Sequence, residues 1–319
     1  MELEAGEEVV DHRWVRRALW AWPLVVPWTW FLVRDLGPVF DALALAIPLL
    51  VLVAVVVQAL VAYLRRRVRG AVVAASWALF GVVAVAGPWV PHTGPAPVSP
   101  LRLVEVNVKG GTDAPGLMAA IERQHPDIVV VSETGGALRP ALAARFKWSL
   151  PPERKDVTVF ADRPLRLLSA PAALGARAMR IEVQGPAGPF VLYALHLVKP
   201  GLRPAGSYQV TFGRHRQIVA ALAQAARAER LPVVIAGDLN LSDRTWGYRN
   251  LARHFRDAGL AGWGGPTSER GALRRLQLRI DHVFVSSGWC AAHARRMALP
   301  GSDHRGVATT IGPCPTVRR

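Results

Sequence analysis

Between Ala42 and Leu64 the chain runs 23 residues without a charge, and between Ala71 and Pro91 it runs 21 more. A helix needs about 20 mostly apolar residues to cross the hydrocarbon of a bilayer, so these two runs limit what the first third of the chain can be. A third run, Ala18 to Val33, is 16 residues long. Counted as a helix, it completes an anchor of three transmembrane helices. The competing reading is a signal peptide with Arg13, Arg16 and Arg17 as its basic start. No small-x-small cleavage site follows its apolar core, however, and two longer apolar runs do. Seven of the eleven Trp precede Pro91, several near the proposed helix ends, where rings with a polar tip sit at headgroup level. Pro23, Pro27 and Pro48 kink a helix without forbidding it to span.

If three helices alternate, the tail HRWVRR and the loop RRRVRG (Arg65, Arg66, Arg67, Arg69) share one side, while RDLGPVFD on the other is nearly neutral. Cytoplasmic loops carry the Lys/Arg excess, so everything after Pro91 is delivered outside. The expected organisation is a cytoplasmic tail over 1–17 and a membrane anchor over 18–91, followed by a Pro-rich, semi-rigid spacer over 92–100 and an extracytoplasmic domain over 101–319. The whole is a multi-pass protein of the cell membrane. From Leu101 onward 31 Lys and Arg face 16 Asp and Glu, a surplus that favours phosphate-rich partners, either nucleic acid or anionic lipid headgroups. The arginines are spread rather than gathered in one run, which leaves general solvation open as their role. The two cysteines, Cys290 and Cys314, have neither CxxC spacing nor a nearby His pair, so zinc is not indicated.

After the spacer, short apolar runs alternate with amphipathic ones. Leu101 to Val108, Ile128 to Ser132, Val157 to Ala161, Leu165 to Ser169, Ala178 to Val183, Phe190 to Leu195 and Val233 to Ala236 read as strands, as do RIDHVFVS, CAAHARRMAL and HRGVATTIG. The segment from Ala114, stopped by Pro126, and the segment Ser207 to Arg230 read as helices. Several strands begin or end in polar residues: Asn107, Glu133, His196, Asp238 with Asn240, Asp281, and Asp303 with His304. Each has a plain reading. Asn107 closes a turn, Glu133 caps a helix, His196 is a satisfied core histidine, and Asp238 with Asn240 forms an Asx-turn. An unpaired buried carboxylate costs several kcal/mol, though, and a set of them at strand ends calls for one shared solution, a pocket at one edge of the sheets in which acids hold a cation.

Glu133 and Asp303 with Asn107 make a hard oxygen site suited to Mg²⁺, or Mn²⁺. His304 beside Asp281 makes a His-carboxylate pair. Asp238 then orients or deprotonates the attacking water, Asn240 bonds a non-bridging phosphate oxygen, and His196 donates as charge develops. These parts serve phosphoryl transfer to water without a Ser, Cys or Lys nucleophile.

Taken in order, VNV, PDIVVVSET, ALHL, VVIAGDLN, RIDHVFV and GSDHRGV resemble the motifs of the endonuclease/exonuclease/phosphatase superfamily, and the resemblance covers Leu101 to Gly312. It implies an α/β fold, a DNase I-like four-layer α/β sandwich. It also implies Glu133 as main metal ligand, Asp303 as a second acid near the metal, His304 paired with Asp281, and Asp238 and Asn240 at water and phosphate. Where many relatives carry a Ser-Arg pair after the middle strand, this chain has Ala161, Asp162 and Arg163, so the partner of His196 is not given by motif; Asp156 is the candidate. The recognition loops of relatives acting on abasic DNA or inositol lipids are not identifiable. With its apolar N-terminus the chain is similar to a membrane-anchored bacterial group that includes the VanJ-type proteins. That implies a metal-dependent phosphoric ester hydrolase acting on a lipid-linked phosphate or pyrophosphate at the outer face of the membrane. The alternative is an extracytoplasmic nuclease on DNA or RNA, against which the scarcity of free aromatic rings counts. If the last three strands run away from the metal end, back, and away again, Cys290 and Cys314 meet at the far end, and an external domain permits their disulfide.

Overall fold

The computed structural model describes residues 21–65, 68–92, 94–150, 156–174, 177–269 and 277–316. Two helices among them are long and apolar enough to cross a membrane, Pro38–Leu64 of 27 residues and Val68–Trp89 of 22. They begin as helices α1 (Pro38–Arg65) and α2 (Val68–Gly81). The two lie close: a Cβ on Gly81 would stand 2.5 Å from Val51 Cγ1, and one on Gly70 2.8 Å from Ala62 Cβ, the small-residue packing that helices use in lipid.

The third expected helix is not confirmed. Its described part, Ala21–Val33, spans roughly 20 Å at 1.5 Å per residue, and a 3₁₀ turn over Val26–Thr29 interrupts it. Proline explains the break. Pro27 has no N–H to give the carbonyl of Pro23, four residues back. Trp77 Nε1 of α2 donates to that carbonyl instead at 3.1 Å, and Ser76 Oγ donates to Leu24 O at 3.0 Å. The described part of the segment thus packs against α2. The tail over 1–17, Ala18 to Trp20, Arg66 and Arg67 lie outside the described residues.

Among the described residues the domain has fourteen strands. In chain order they are β1 (Leu101–Asn107), β2 (Ile128–Ser132), β3 (Trp148–Leu150), β4 (Val157–Ala161), β5 (Leu165–Ser169), β6 (Ala178–Gly185) and β7 (Gly188–His196), then β8 (Lys199–Gly201), β9 (Gln209–Thr211), β10 (Val233–Asp238), β11 (Phe255–Asp257), β12 (Asp281–Ser286), β13 (Trp289–Ala298) and β14 (Arg305–Pro313). Two six-stranded sheets run β13-β14-β1-β2-β4-β3 and β11-β12-β10-β7-β6-β5, and β8 pairs with β9 alone. Each large sheet has one parallel pair at its centre, β1 with β2 and β10 with β7, flanked by antiparallel neighbours.

Side chains alternate across a strand, so each strand serves two cores. Leu101 and Leu103 of β1, Leu192 and Ala194 of β7, and Val234 and Ala236 of β10 fill the layer between the sheets. Val104 and Val106 turn outward beneath helices α3 (Ala114–Glu122) and α4 (Leu138–Arg145). Val233 and Ile235 turn the other way beneath α5 (Phe212–Arg227) and α6 (Trp246–Ala252). The layers are helix, sheet, sheet, helix. Helix α5 is shorter than Ser207 to Arg230 because Thr211 caps it, its side chain accepting from Arg214 N at 3.2 Å. Cys290 and Cys314 are joined as a disulfide.

Chain between the two apolar helices and the domain is pinned rather than slack. Trp89 Nε1 donates to Asp243 Oδ2 at 2.7 Å, His92 N to Leu260 O at 2.7 Å and Val98 N to Pro313 O at 2.9 Å. On the other side of the anchor, Asp35 pairs with Arg249, and Asp41 pairs with Arg216 while accepting Trp246 N at 2.8 Å.

His215 of α5 lies buried under this joint, its Nε2 donating to Leu239 O at 3.2 Å. Burial lowers its pKa to about 4, against the opposing pulls of Leu239 O and Asp41. A folded value below the unfolded value of about 6.5 means that stability is whole above that pH and is lost as pH falls toward 4. From pH 7.5 to 5 the loss is expected to be about 2 kcal/mol. Denaturation of the full chain in detergent, compared with His215→Gln, checks this: the variant should lose that part of the slope, and identical pH profiles would discard the assignment.

Candidate active site

The alternation that builds the central core also aims the polar strand ends. Asn107 continues the inward set of Leu101 and Leu103, His196 that of Leu192 and Ala194, and Asp238 that of Val234 and Ala236. Asp281 precedes inward Val283 and Val285. All four therefore stand at one rim of the layer between the sheets. Register completes the placement: Asp238 lies opposite His196 on one side and Asp281 on the other, while Asn107 lies opposite Ser132, one residue before Glu133.

Distances show the convergence. Asn107 Nδ2 donates to Asp238 Oδ2 at 3.0 Å and to Glu133 Oε1 at 3.2 Å, bridging the two sheets. His196 Nε2 stands 3.7 Å from Asp238 Oδ2 and 3.9 Å from Glu133 Oε1. His304 Nδ1 meets Asp281 Oδ2 at 3.0 Å, and its Nε2 is 3.9 Å from Asp238 Oδ2. The Asx-turn reading of GDLN also holds, since Asn240 N donates to Asp238 Oδ1 at 2.9 Å. That turn fixes the catalytic candidate rather than replacing it. Asn240 Nδ2 spends one hydrogen on Leu197 O at 2.9 Å and keeps a second.

Backbone strain concentrates here. Lys109, Glu133 and Asn240 have φ of 46°, 55° and 46°, uncommon for residues with a side chain. Gly237, at φ 146°, cannot be anything else: a Cβ there would stand 1.7 Å from Leu195 O of the neighbouring strand. The tight approach sets β10 against β7 just before Asp238.

Electrostatics follow from burial. Burial raises the Asp238 pKa, and repulsion from Asp281 adds to it. Burial works against a charged His304, yet the attraction of Asp281, with Asp238 and Asp303 behind it, pushes it up to about 10. For His196 burial is again outweighed, by Asp156, Asp238 and Glu133, and its pKa rises. Asp156 is indeed beside it, 3.3 Å from Nδ1, and pairs in turn with Arg177, whose guanidinium lies 3.7 Å from the centre of the Tyr208 ring.

A cavity of about 540 Å³ opens at this rim, lined by Glu133, Asp156, His196, Asp238, Asn240 and His304 among others. Asp303 sits at the edge, its Oδ2 3.3 Å from Lys109 Nζ. Ser302 Oγ, donating to Asn107 O at 2.7 Å and accepting His304 N at 3.0 Å, ties this loop to β1. A divalent cation suits the site. Carboxyl groups outnumber the nearby cationic groups, and the half-exposed Glu133 leaves room for waters on a hard ion. Asp238, Asp281 and His304 also bring ligand atoms within 4.8 Å of one another. The His304–Asp281 pair occupies two of those three; Glu133 faces Asn107 Nδ2, while Asn107 Oδ1 accepts Lys109 N at 3.1 Å.

Three participants escaped the sequence reading. Arg177 gave no signal beyond one more arginine. Leu45 of α1 lines the same cavity although it belongs to the N-terminal apolar hairpin. Glu105 is fully buried on the inward face of β1, both oxygens without a hydrogen-bond partner among the described residues. Burial first, then Asp281 and Asp238, raises its pKa well above the usual range. An acid inside LVEVN at an inward position was the available sign.

Two mixed sheets face to face between helices, with acid, amide and imidazole gathered at one rim, define an α/β sandwich of the phosphoester-hydrolase class. Residues 104–304 match the Endonuclease/Exonuclease/phosphatase family, and the chain belongs to it. Solved structures agree in fold. An endonuclease/exonuclease/phosphatase from Beutenbergia cavernae is 21% identical at a TM-score of 0.50, covering 68% of this chain and 73% of its own. A humanized D. rerio TDP2 is 18% identical at 0.53, covering 67% and 100%. An endonuclease/exonuclease/phosphatase from Bacteroides vulgatus is 17% identical at 0.51, covering 67% and 99%. No curated protein matches the sequence.

Proposed function

We propose that the chain is a membrane-anchored, divalent-metal-dependent phosphoesterase whose substrate is a lipid-linked phosphate or pyrophosphate at the outer face of the membrane. The observation that carries this reading is that the apolar hairpin is fastened to the catalytic domain at both of its domain-side ends, Asp35 and Asp41 before α1 and in its first turn, and Trp89 after α2. Helices docked in this way hold the cavity at headgroup depth. The basic stretch Arg65 to Arg69 between them supports a cytoplasmic turn with the domain outside.

Mg²⁺ or Mn²⁺, when bound by Glu133 with Asn107 and Asp303, would neutralise phosphate charge. The chain supplies the rest. Asp238, its basicity raised by burial, takes a proton as water adds its oxygen to phosphorus and the ester P–O bond breaks. His196 donates to a phosphate oxygen, oriented by Asp156. His304, charged at neutral pH and held by Asp281, gives the departing oxygen its proton. The test is turnover by the full chain in detergent of a panel comprising a lipid phosphate, a lipid pyrophosphate, plasmid DNA and RNA, with Mg²⁺ and with chelator. Expected is cleavage of a lipid substrate, abolished by chelator. Cleavage of DNA with the lipids untouched would replace the lipid reading by the nuclease one.

A further inference from the structure

The anchor does more than tether. Leu45, two turns into α1, lines the catalytic cavity beside Leu197, Pro200, Leu278 and Ile280, so one wall of a site otherwise rich in acid and imidazole is apolar and includes a residue of the membrane helix. Leu45 also lines a small adjoining gap, together with Asp41 and Asn240. The wall is fixed in place. Asp41 is buried, with one carboxylate oxygen on Trp246 N and the other on Arg216, so moving these first turns away would strand a charge.

From Leu45 the helix carries Leu49, Leu52 and Val56, at steps of four, three and four residues. At 3.6 residues per turn these four lie on one stripe rising about 16 Å. Leu49, Leu52 and Val56 are 40%, 58% and 57% exposed. An exposed apolar stripe on a membrane helix meets lipid, and this one starts inside the catalytic cavity. A nucleic-acid strand would need a polar track where the wall offers Leu45 and Pro200.

We propose that the cavity opens sideways onto the bilayer, taking the headgroup of a phosphate ester whose hydrocarbon chain lies along Leu45, Leu49, Leu52 and Val56. This rests on the phosphoesterase reading above and adds that α1 selects the substrate by its chain.

The test compares two alkyl pyrophosphates with the same headgroup, one long-chain and held in phosphatidylcholine nanodiscs, the other short and water-soluble, with the full chain in the same nanodiscs. The wild type is expected to prefer the long chain by at least tenfold in kcat/KM. Leu45→Trp and Leu49→Trp should each cut that preference at least fivefold, while Leu50→Trp, about 140° around the helix from Leu45, should leave it unchanged. A diazirine in the long chain, irradiated without divalent ion, should label the peptide carrying Leu49 and Leu52, which reads the contact without turnover. Cleavage of the short ester alone, or a preference that neither variant moves, or labelling confined to other segments, would overturn the proposal while leaving the phosphoesterase intact. Cleavage of neither ester would remove the phosphoesterase reading itself.

Discussion

Asp238→Asn is expected to lower kcat by about 10³-fold while the chain stays folded, because the substitution removes a charge and a proton acceptor but keeps the volume. The site explains why folding should survive. In the wild type this carboxylate is buried beside Asp281 and near Glu105, so its charge is held against repulsion as well as desolvation. The amide relieves both. It loses something too, since Asp238 accepts from Asn107 Nδ2 and from Asn240 N, and an asparagine offers only one acceptor for these two donors. One hydrogen bond of about 1 kcal/mol lost against a relieved charge leaves stability roughly unchanged. Thermal melts within a few degrees of wild type, together with the fall in kcat, would separate chemistry from packing. Activity within tenfold of wild type would mean that Asp238 does not take the proton. A collapsed melt would instead make it a structural residue.

How much of this was legible in the sequence depended on whether a residue's neighbours share its strand. Inward and outward sets repeat every two residues, so LRLVEVN and VVIAGD already carry the faces of Asn107 and Asp238, and the strand ends could be gathered into one rim before any coordinate. The Cys290–Cys314 disulfide followed from strand direction, while the His304 pair with Asp281 came from the family resemblance. What failed was what depends on packing between distant segments. The run Ala18 to Val33 is apolar throughout its length, but composition does not show that Trp77 and Ser76 take up the carbonyls of Pro23 and Leu24 before Pro27. Arg177 reaches Asp156 from the start of another strand. Leu45 reaches the cavity only because Asp41 finds Arg216, 175 positions further on. The spacer over 92–100 read as semi-rigid from its prolines, but its bonds to Leu260 and Pro313 are to remote backbone that leaves no trace in local composition.

Behind the rim, Arg279→Met is expected to destabilise the fold by about 3–5 kcal/mol, the usual consequence of leaving buried carboxylates without their cation. Arg279 is 2% exposed and bonds to three groups: its Nε lies 3.2 Å from Asp243 Oδ2, and its Nη2 lies 2.8 Å from Asp257 Oδ2 and 3.1 Å from Tyr248 Oη. Tyr248 donates to Asp257 Oδ2 at 2.9 Å, and Trp89 to Asp243. Methionine fills most of the volume, so the loss reads the charge rather than a cavity. The pH dependence tests that attribution. In the wild type burial would raise the Asp257 pKa, but Arg279 and His282 hold it far below the ordinary value. Stability from that pairing is therefore complete above the unfolded carboxylate pKa of about 3.9 and lost only as pH falls below it. In the variant Asp257, buried without the cation, should have a raised pKa, so the folded state takes up a proton before the unfolded one and gains stability as pH falls from 7 toward 4. Urea denaturation should thus show a gap between the two proteins that narrows with acid, and Asp257→Asn added to Arg279→Met should recover part of it. Because Arg279 stands two residues before Asp281, and Asp243 five after Asp238, the same variant should also lower kcat at temperatures where it is still folded. A gap that stays constant from pH 8 to 4 would show that the arginine acts by packing, and that the rim is not held in place by charge from behind.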